Sequence, residues 1–181
     1  MELLKSENEN NVTFELHEAC LIGNLDKIAN LLQRKEEIDV MQLDKQFTLK
    51  RAVQNGDSGI VQLLLRIGVN VNQKDRFYGI RPLHCACAAW GNLAIAKILL
   101  DNGADINATD EYFNRTALHF AVSNKKTSIT KLLLKNGCNT KVRAKLTNDN
   151  DDLLGYTPFE VALDMKSIKV FKMIAYHGTC L

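Results

Sequence analysis

"PLHCACAAWGNLAIAKILLDNGADINATD" (residues 82–110) holds most of one structural unit and decides the fold. Pro82 suits a first helical turn, where the N–H it lacks has no intrahelical acceptor anyway. Leu83 is a large core side chain on this short helix, and Ala86 is small enough to let a neighbouring unit approach closely. A second helical stretch ends at Gly103, where a left-handed residue is wanted. "DINATD" then turns outward as a hairpin finger.

The same unit recurs along the chain. "ELHEACLIGNLDKIANLL" (15–32), "TLKRAVQNGDSGIVQLLL" (48–65), "ALHFAVSNKKTSITKLLL" (117–134) and "PFEVALDMKSIKVFKMIA" (158–175) align with it. One alanine recurs at 19, 52, 86, 121 and 162, in steps of 33, 34, 35 and 41. The end of each block recurs at Leu32, Leu65, Leu100, Leu134 and Ala175, with glycine following at 68, 103, 137 and 178. The second helix of each unit is apolar at helical spacing, as in Ile28, Leu31 and Leu32 or Ile129, Leu132 and Leu133. A period near 33 fits two short antiparallel helices plus a turn. One such unit cannot bury its apolar face, so about five must stack.

"PLHCA", "TALHFA", "TPFEVA", "LLLRIGVNVNQKD" and "ILLDNGADINATD" resemble the ankyrin repeat, over about residues 14–181. The resemblance implies an all-α solenoid of about five helix-turn-helix repeats with β-hairpin fingers. The repeats are expected near 14–43, 44–75, 76–110, 111–143 and 154–181, after a tail at 1–13. The departures are informative. Glu15, His17 and Glu18 fit a polar first repeat. In the second, Phe47 stands where the family has threonine and Lys50 where it has histidine, which predicts a weaker helix start. The third carries extra residues in "CAAWG" and "DRFYG", and "DEYFN" matches that longer finger. The segment 144–153 lies outside the period and reads as a polar insertion.

Composition places no obstacle to this fold. The chain has 181 residues, 46% of them hydrophobic and 24% charged, which fits one domain. No apolar run approaches the roughly 20 residues of a membrane helix. "MELLKSENENN" has neither a basic nor an apolar leader region, so a cytoplasmic or nuclear location is expected. Asn11, Asn107 and Asn114 open glycosylation triplets that then read as chance. The five cysteines are expected to be reduced thiols.

His84, Cys85 and Cys87 suggest a metal or redox site, and the register argues against one. Residues two apart on a helix point about 200° apart, so Cys85 and Cys87 cannot chelate one ion together. His17, His84 and His119 share one register position, where the resemblance implies a turn-supporting histidine. No converging base, oxyanion hole or phosphate-cradling glycine loop accompanies them. No catalytic residue, cofactor or metal is expected.

Function is therefore sought at a binding surface. The resemblance implies protein binding through fingertips and the inner face of the first helices. The fingertips hold Arg76, Phe77 and Tyr78, then Tyr112, Phe113 and Arg115. The inner positions hold Gln54, Asn55, Ala89, Trp90, Ser123 and Asn124. Aromatic side chains with arginine are the composition of a binding hot spot. Charge is uneven: residues 1–44 carry ten acidic and four basic side chains, whereas 121–147 carry seven basic and no acidic ones. That second stretch, with Lys131 and Lys135, suits an acidic partner surface. Nucleic acid is disfavoured, because the patch is short and the aromatics lie elsewhere. The expected partner is another protein: a kinase, a signalling factor or a transcription factor. The chain is expected to be monomeric alone and to work in a hetero-complex as scaffold, regulatory subunit or inhibitor. Small ankyrin regulators that the chain is similar to include NF-κB inhibitors. The N-terminal stretch lacks their paired-serine degron. An adaptor for a ubiquitin ligase ranks lower, since no F-box or SOCS-like segment follows the fifth unit.

Overall fold

A computed structural model describes residues 2–45, 48–88, 91–145 and 155–177, with side chains from Val12 onward apart from 35, 44 and 45. The helices are α1 (Glu2–Ile22), α2 (Leu25–Leu32), α3 (Val40–Lys45), α4 (Thr48–Asn55), α5 (Ser58–Arg66), α6 (Pro82–Cys87), α7 (Leu93–Asp101), α8 (Ala117–Ser123), α9 (Thr127–Lys135), α10 (Pro158–Asp164) and α11 (Ile168–His177), with a 3-10 turn at Lys35–Glu37. They stack in two layers. α1, α4, α6, α8 and α10 follow one another in the first layer. α5, α7, α9 and α11 follow in the second, and α2 packs on α1.

The register alanines explain the close stacking. Ala19, Ala52, Ala86, Ala121 and Ala162 are all buried in the first layer. Leu16, Leu49, Leu83 and Leu118 lie beside them, also buried. Leu31, Leu64, Leu99, Leu133 and Ile174 close the core from the second helices. Each such side chain contributes roughly 1.5–3 kcal/mol through burial. Pro82 and Pro158 occupy the first turns of α6 and α10, as their sequence positions require. Gly68, Gly103 and Gly137 end the second helices with φ of 96°, 83° and 73°.

Two features were not evident from the period. The stretch 1–13 is helical from Glu2 onward. Val12 and Thr13 at its end are buried, and the Thr13 hydroxyl accepts the Asp39 N–H at 2.8 Å. The fingers, meanwhile, are turns rather than ribbons. Among the described residues there is no strand, only an isolated antiparallel bridge between Thr109 and Thr116. Phe47 and the part of the insertion at 146–153 lie outside the described residues.

Candidate protein-binding surface

An aspartate builds each of the two long fingers. Asp75 is buried, and its Oδ1 accepts the N–H groups of Phe77 at 3.2 Å and Tyr78 at 2.8 Å. Asp110 repeats the turn, accepting from Phe113 at 3.1 Å and Arg115 at 2.8 Å. The turn forces the following side chains outward. Phe77 is 83% exposed, Tyr78 50% and Tyr112 41%. Arg76 is exposed, and Phe113 and Arg115 are half-buried.

Adjacent fingers are tied by main-chain hydrogen bonds, Glu111 N–H to the Tyr78 carbonyl at 2.8 Å and Lys145 N–H to the Phe113 carbonyl at 2.7 Å. Lys74 and Glu111 add an exposed ion pair between them. The rings consequently meet edge to face, with Tyr78 and Tyr112 centroids 5.5 Å apart and Tyr112 and Phe113 5.2 Å apart. Arg115 extends the row inward. Its guanidinium lies 4.5 Å from the Phe113 ring and 4.6 Å from the Phe120 ring of α8. Asp110 Oδ2 holds it there through Nε at 2.8 Å and through the terminal Nη2 nitrogen at 2.7 Å. One continuous aromatic and arginine ridge therefore runs from the fingertips onto the first helix layer.

The other predicted residues fall in two places. Ser123 is exposed at the end of α8, and Asn124 donates to the Phe120 carbonyl at 2.8 Å. Gln54 is exposed and Asn55 donates to the Leu21 carbonyl. Ala89 and Trp90 lie outside the described residues. Lys131 and Lys135 sit on the opposite, second-layer side, beside Lys169, Met173 and His177. Lys97, Lys131 and Lys172 occupy equivalent exposed positions on α7, α9 and α11, forming a basic stripe that a contiguous reading of 121–147 could not find. Nothing in the repeat pattern singles out Phe120 or the two aspartates, although Asp75 meets Phe77 and Tyr78, Asp110 meets Phe113 and Arg115, and Arg115 meets Phe120, all within five positions.

The family comparison agrees with this geometry. A family model for ankyrin repeats in three copies matches residues 16–110 and again 108–181. This chain belongs to the ankyrin-repeat family. A comparison of its sequence with curated proteins gives no match. Ankyrin repeats are in general protein–protein interaction modules.

The register histidines of this ankyrin stack are structural. His84 accepts the Arg81 N–H on Nδ1 at 3.1 Å, and its Nε2 donates to the Ala108 carbonyl of the next finger at 2.9 Å. His119 does the same, from Thr116 N–H at 3.1 Å to the Tyr156 carbonyl at 3.1 Å. His17 instead meets the Thr48 hydroxyl at 2.8 Å. In the second repeat Lys50 reaches Asp75 at 2.6 Å, tying two repeats by charge. The thiols among the described residues are held protonated: burial pushes Cys20 up to about 12 and Cys85 and Cys138 up to about 11, and it raises Cys87 further. Among the described residues no group of three His, Cys, Asp or Glu is placed to hold a metal ion, and no helix is long and apolar enough to cross a membrane.

Proposed function

We propose that this chain is a non-enzymatic interaction module of the cytoplasm or nucleus. It acts as a scaffold, regulatory subunit or inhibitor of a protein partner in a kinase complex or signalling pathway, or of a transcription factor. The observation that supports this is the ridge formed by exposed Arg76, Phe77, Tyr78 and Tyr112 with half-buried Phe113 and Arg115, prearranged by the two buried aspartates. Rings already fixed in place lose little conformational freedom on binding. Trp90 is assigned to the same proposed surface by its repeat register alone, and it lies outside the described residues.

Affinity purification from the source cells tests the reading, comparing wild type with a Tyr78→Ala, Tyr112→Ala double variant. A partner retained by wild type and lost by the folded variant is the expected result. Each buried anchor is expected to cost about 2 kcal/mol or more in affinity when truncated. Unchanged capture by the double variant would place the interface elsewhere.

A further inference from the structure

Lysines of the second layer gather at one groove between repeats. α9 and α11 pack side by side, and a groove of about 780 Å³ runs between them. Lys131, Leu134 and Lys135 line it from α9, and Lys169 and Met173 from α11. Leu134 is buried and Met173 half-buried, whereas the three lysines are exposed. α9 and α11 contain no acidic residue. Among the described residues no aspartate, glutamate or arginine lines the groove, and none of the three lysines is in an ion pair. Both walls belong to repeats stacked on one another, so the groove lies along the side of the stack and not at its end.

The earlier repeats balance their charges on this layer. Lys27 pairs with Glu15 at 3.2 Å, and Arg34 pairs with Glu37. Asp101 of α7 holds the register position that Lys135 holds in α9. Side-chain oxygens of Asn24, Asp57 and Asn92 cap α2, α5 and α7, whereas α9 has Lys126 there and no side-chain cap. The imbalance is therefore local to the fourth and fifth repeats. Unpaired cations held close together repel one another, and a ligand of opposite charge relieves that repulsion.

We propose that this groove binds a short acidic peptide segment of a protein, with an apolar side chain set between its carboxylates. Lys131 and Lys135 are one helical turn apart, about 6 Å, and Lys169 stands on a neighbouring helix whose axis is about 8–10 Å away. Carboxylates on either side of one apolar residue can therefore reach both walls. Met173, unbranched and adaptable, suits that apolar residue together with Leu134. No arginine supplies the planar fork that selects phosphate by shape. The apolar lining is recessed, whereas a membrane surface needs apolar side chains that project. The groove lies on the opposite layer from the finger ridge, so it takes its own ligand and leaves the ridge free.

Fluorescence anisotropy tests this with a labelled Glu-Glu-Leu-Glu-Glu peptide titrated with the full chain. Binding at about 10–100 μM is expected. The peptide with Gln for Glu is expected not to bind, and the one with Ser for Leu to bind roughly fivefold more weakly. Lys131→Glu with Lys135→Glu is expected to weaken binding roughly tenfold or more, and Met173→Gln roughly threefold. Arg51→Glu with Arg66→Glu changes the net charge equally but away from the groove, and it is expected to bind nearly as wild type does. The Tyr78→Ala, Tyr112→Ala variant is expected to do the same, which keeps this site separate from the ridge. Circular dichroism melts check each fold, and Lys131→Gln with Lys135→Gln serves should the reversal fold poorly. No binding by wild type, equal loss from both charge reversals, loss in the ridge variant, or undiminished binding of the Ser peptide would each overturn the proposal. Tighter binding of polyphosphate or of phosphatidylserine vesicles would overturn it too, by marking a general anion surface.

Discussion

His84 and His119 each use both ring nitrogens, one to cap their own helix and one to hold the next finger. A proton on Nδ1 would remove the acceptor. Burial lowers the pKa of both rings, with nearby main-chain hydrogen bonds opposing it. The unfolded chain binds that proton near about pH 6.5, so it is the more protonated state just below this pH. Their contribution is therefore complete above about pH 6.5 and is lost as pH falls toward the lower folded values. Urea melts at about pH 8 and about pH 5.5 are expected to show a less stable protein in acid. A His84→Gln, His119→Gln variant is expected to be weaker at the higher pH but flatter between the two. Asp75 acts in a separate, more acidic window. Burial opposes its ionisation, but Lys50 and the Tyr78 and Phe77 N–H groups outweigh it and hold the carboxyl below its usual range. That stabilisation is lost only as pH falls below about 4.

The turn between the paired helices carries a second residue-level prediction. Gly23 and Gly56 take it with φ of 72° and 80°, but Lys125 and Lys166 stand at the same position with φ of 54° and 52°. A left-handed residue with a Cβ is strained by about 1–2 kcal/mol, more than the entropy a glycine adds to the unfolded chain. Lys125→Gly is therefore expected to stabilise the protein by about 0.5–1 kcal/mol, read as a higher denaturation midpoint in urea.

At the scale of the element, the finger depends on its aspartate. Asp110 is 1% exposed and satisfies two main-chain N–H groups together with Arg115. Asp110→Ala would strand those donors, and it is expected to cost about 2–4 kcal/mol in stability. It is also expected to release Arg115 from its place between Phe113 and Phe120, so partner affinity is expected to fall at temperatures where the variant is still folded. Thermal melts and binding isotherms on the same sample separate the two effects. The helices, their proline starts and their glycine ends were legible in the sequence, because each depends on residues a few positions apart. The outward-facing fingertip rings were legible through the register. Asp75 and Asp110 were not, because an aspartate in a polar finger reads as solvated, whereas each is turned inward to accept N–H groups of its own turn. Lys50 shows the same limit. Its departure from histidine suggested a lost support, whereas its partner Asp75 lies in the next finger.

Across the whole molecule, the two faces are expected to act differently in binding. The ridge lies on the fingers and the first layer, and Lys97, Lys131 and Lys172 lie on the second. Tyr78→Ala is expected to speed dissociation at every salt concentration. Lys131→Glu with Lys135→Glu is expected to slow association chiefly at low salt, since exposed charges steer encounter and are screened. Stopped-flow rates against ionic strength distinguish these. A basic pair that altered dissociation alone would mean that Lys131 and Lys135 sit within the contact.

Both borders of the 146–154 segment are anchored: Ala144 N–H bonds the Tyr156 carbonyl at 3.0 Å, Lys145 N–H bonds the Phe113 carbonyl, and the same Tyr156 carbonyl receives His119. A chain pinned this firmly on either side is a port in the solenoid. Foreign sequence entering there would leave the fourth and fifth repeats in register, and each doubling of its length would cost only about 0.6 kcal/mol. Deleting residues 146–152, or replacing them with a fluorescent domain, is accordingly expected to leave the melting temperature nearly unchanged. The chain can thus gain or change an appendage at this port without altering the stack that carries it.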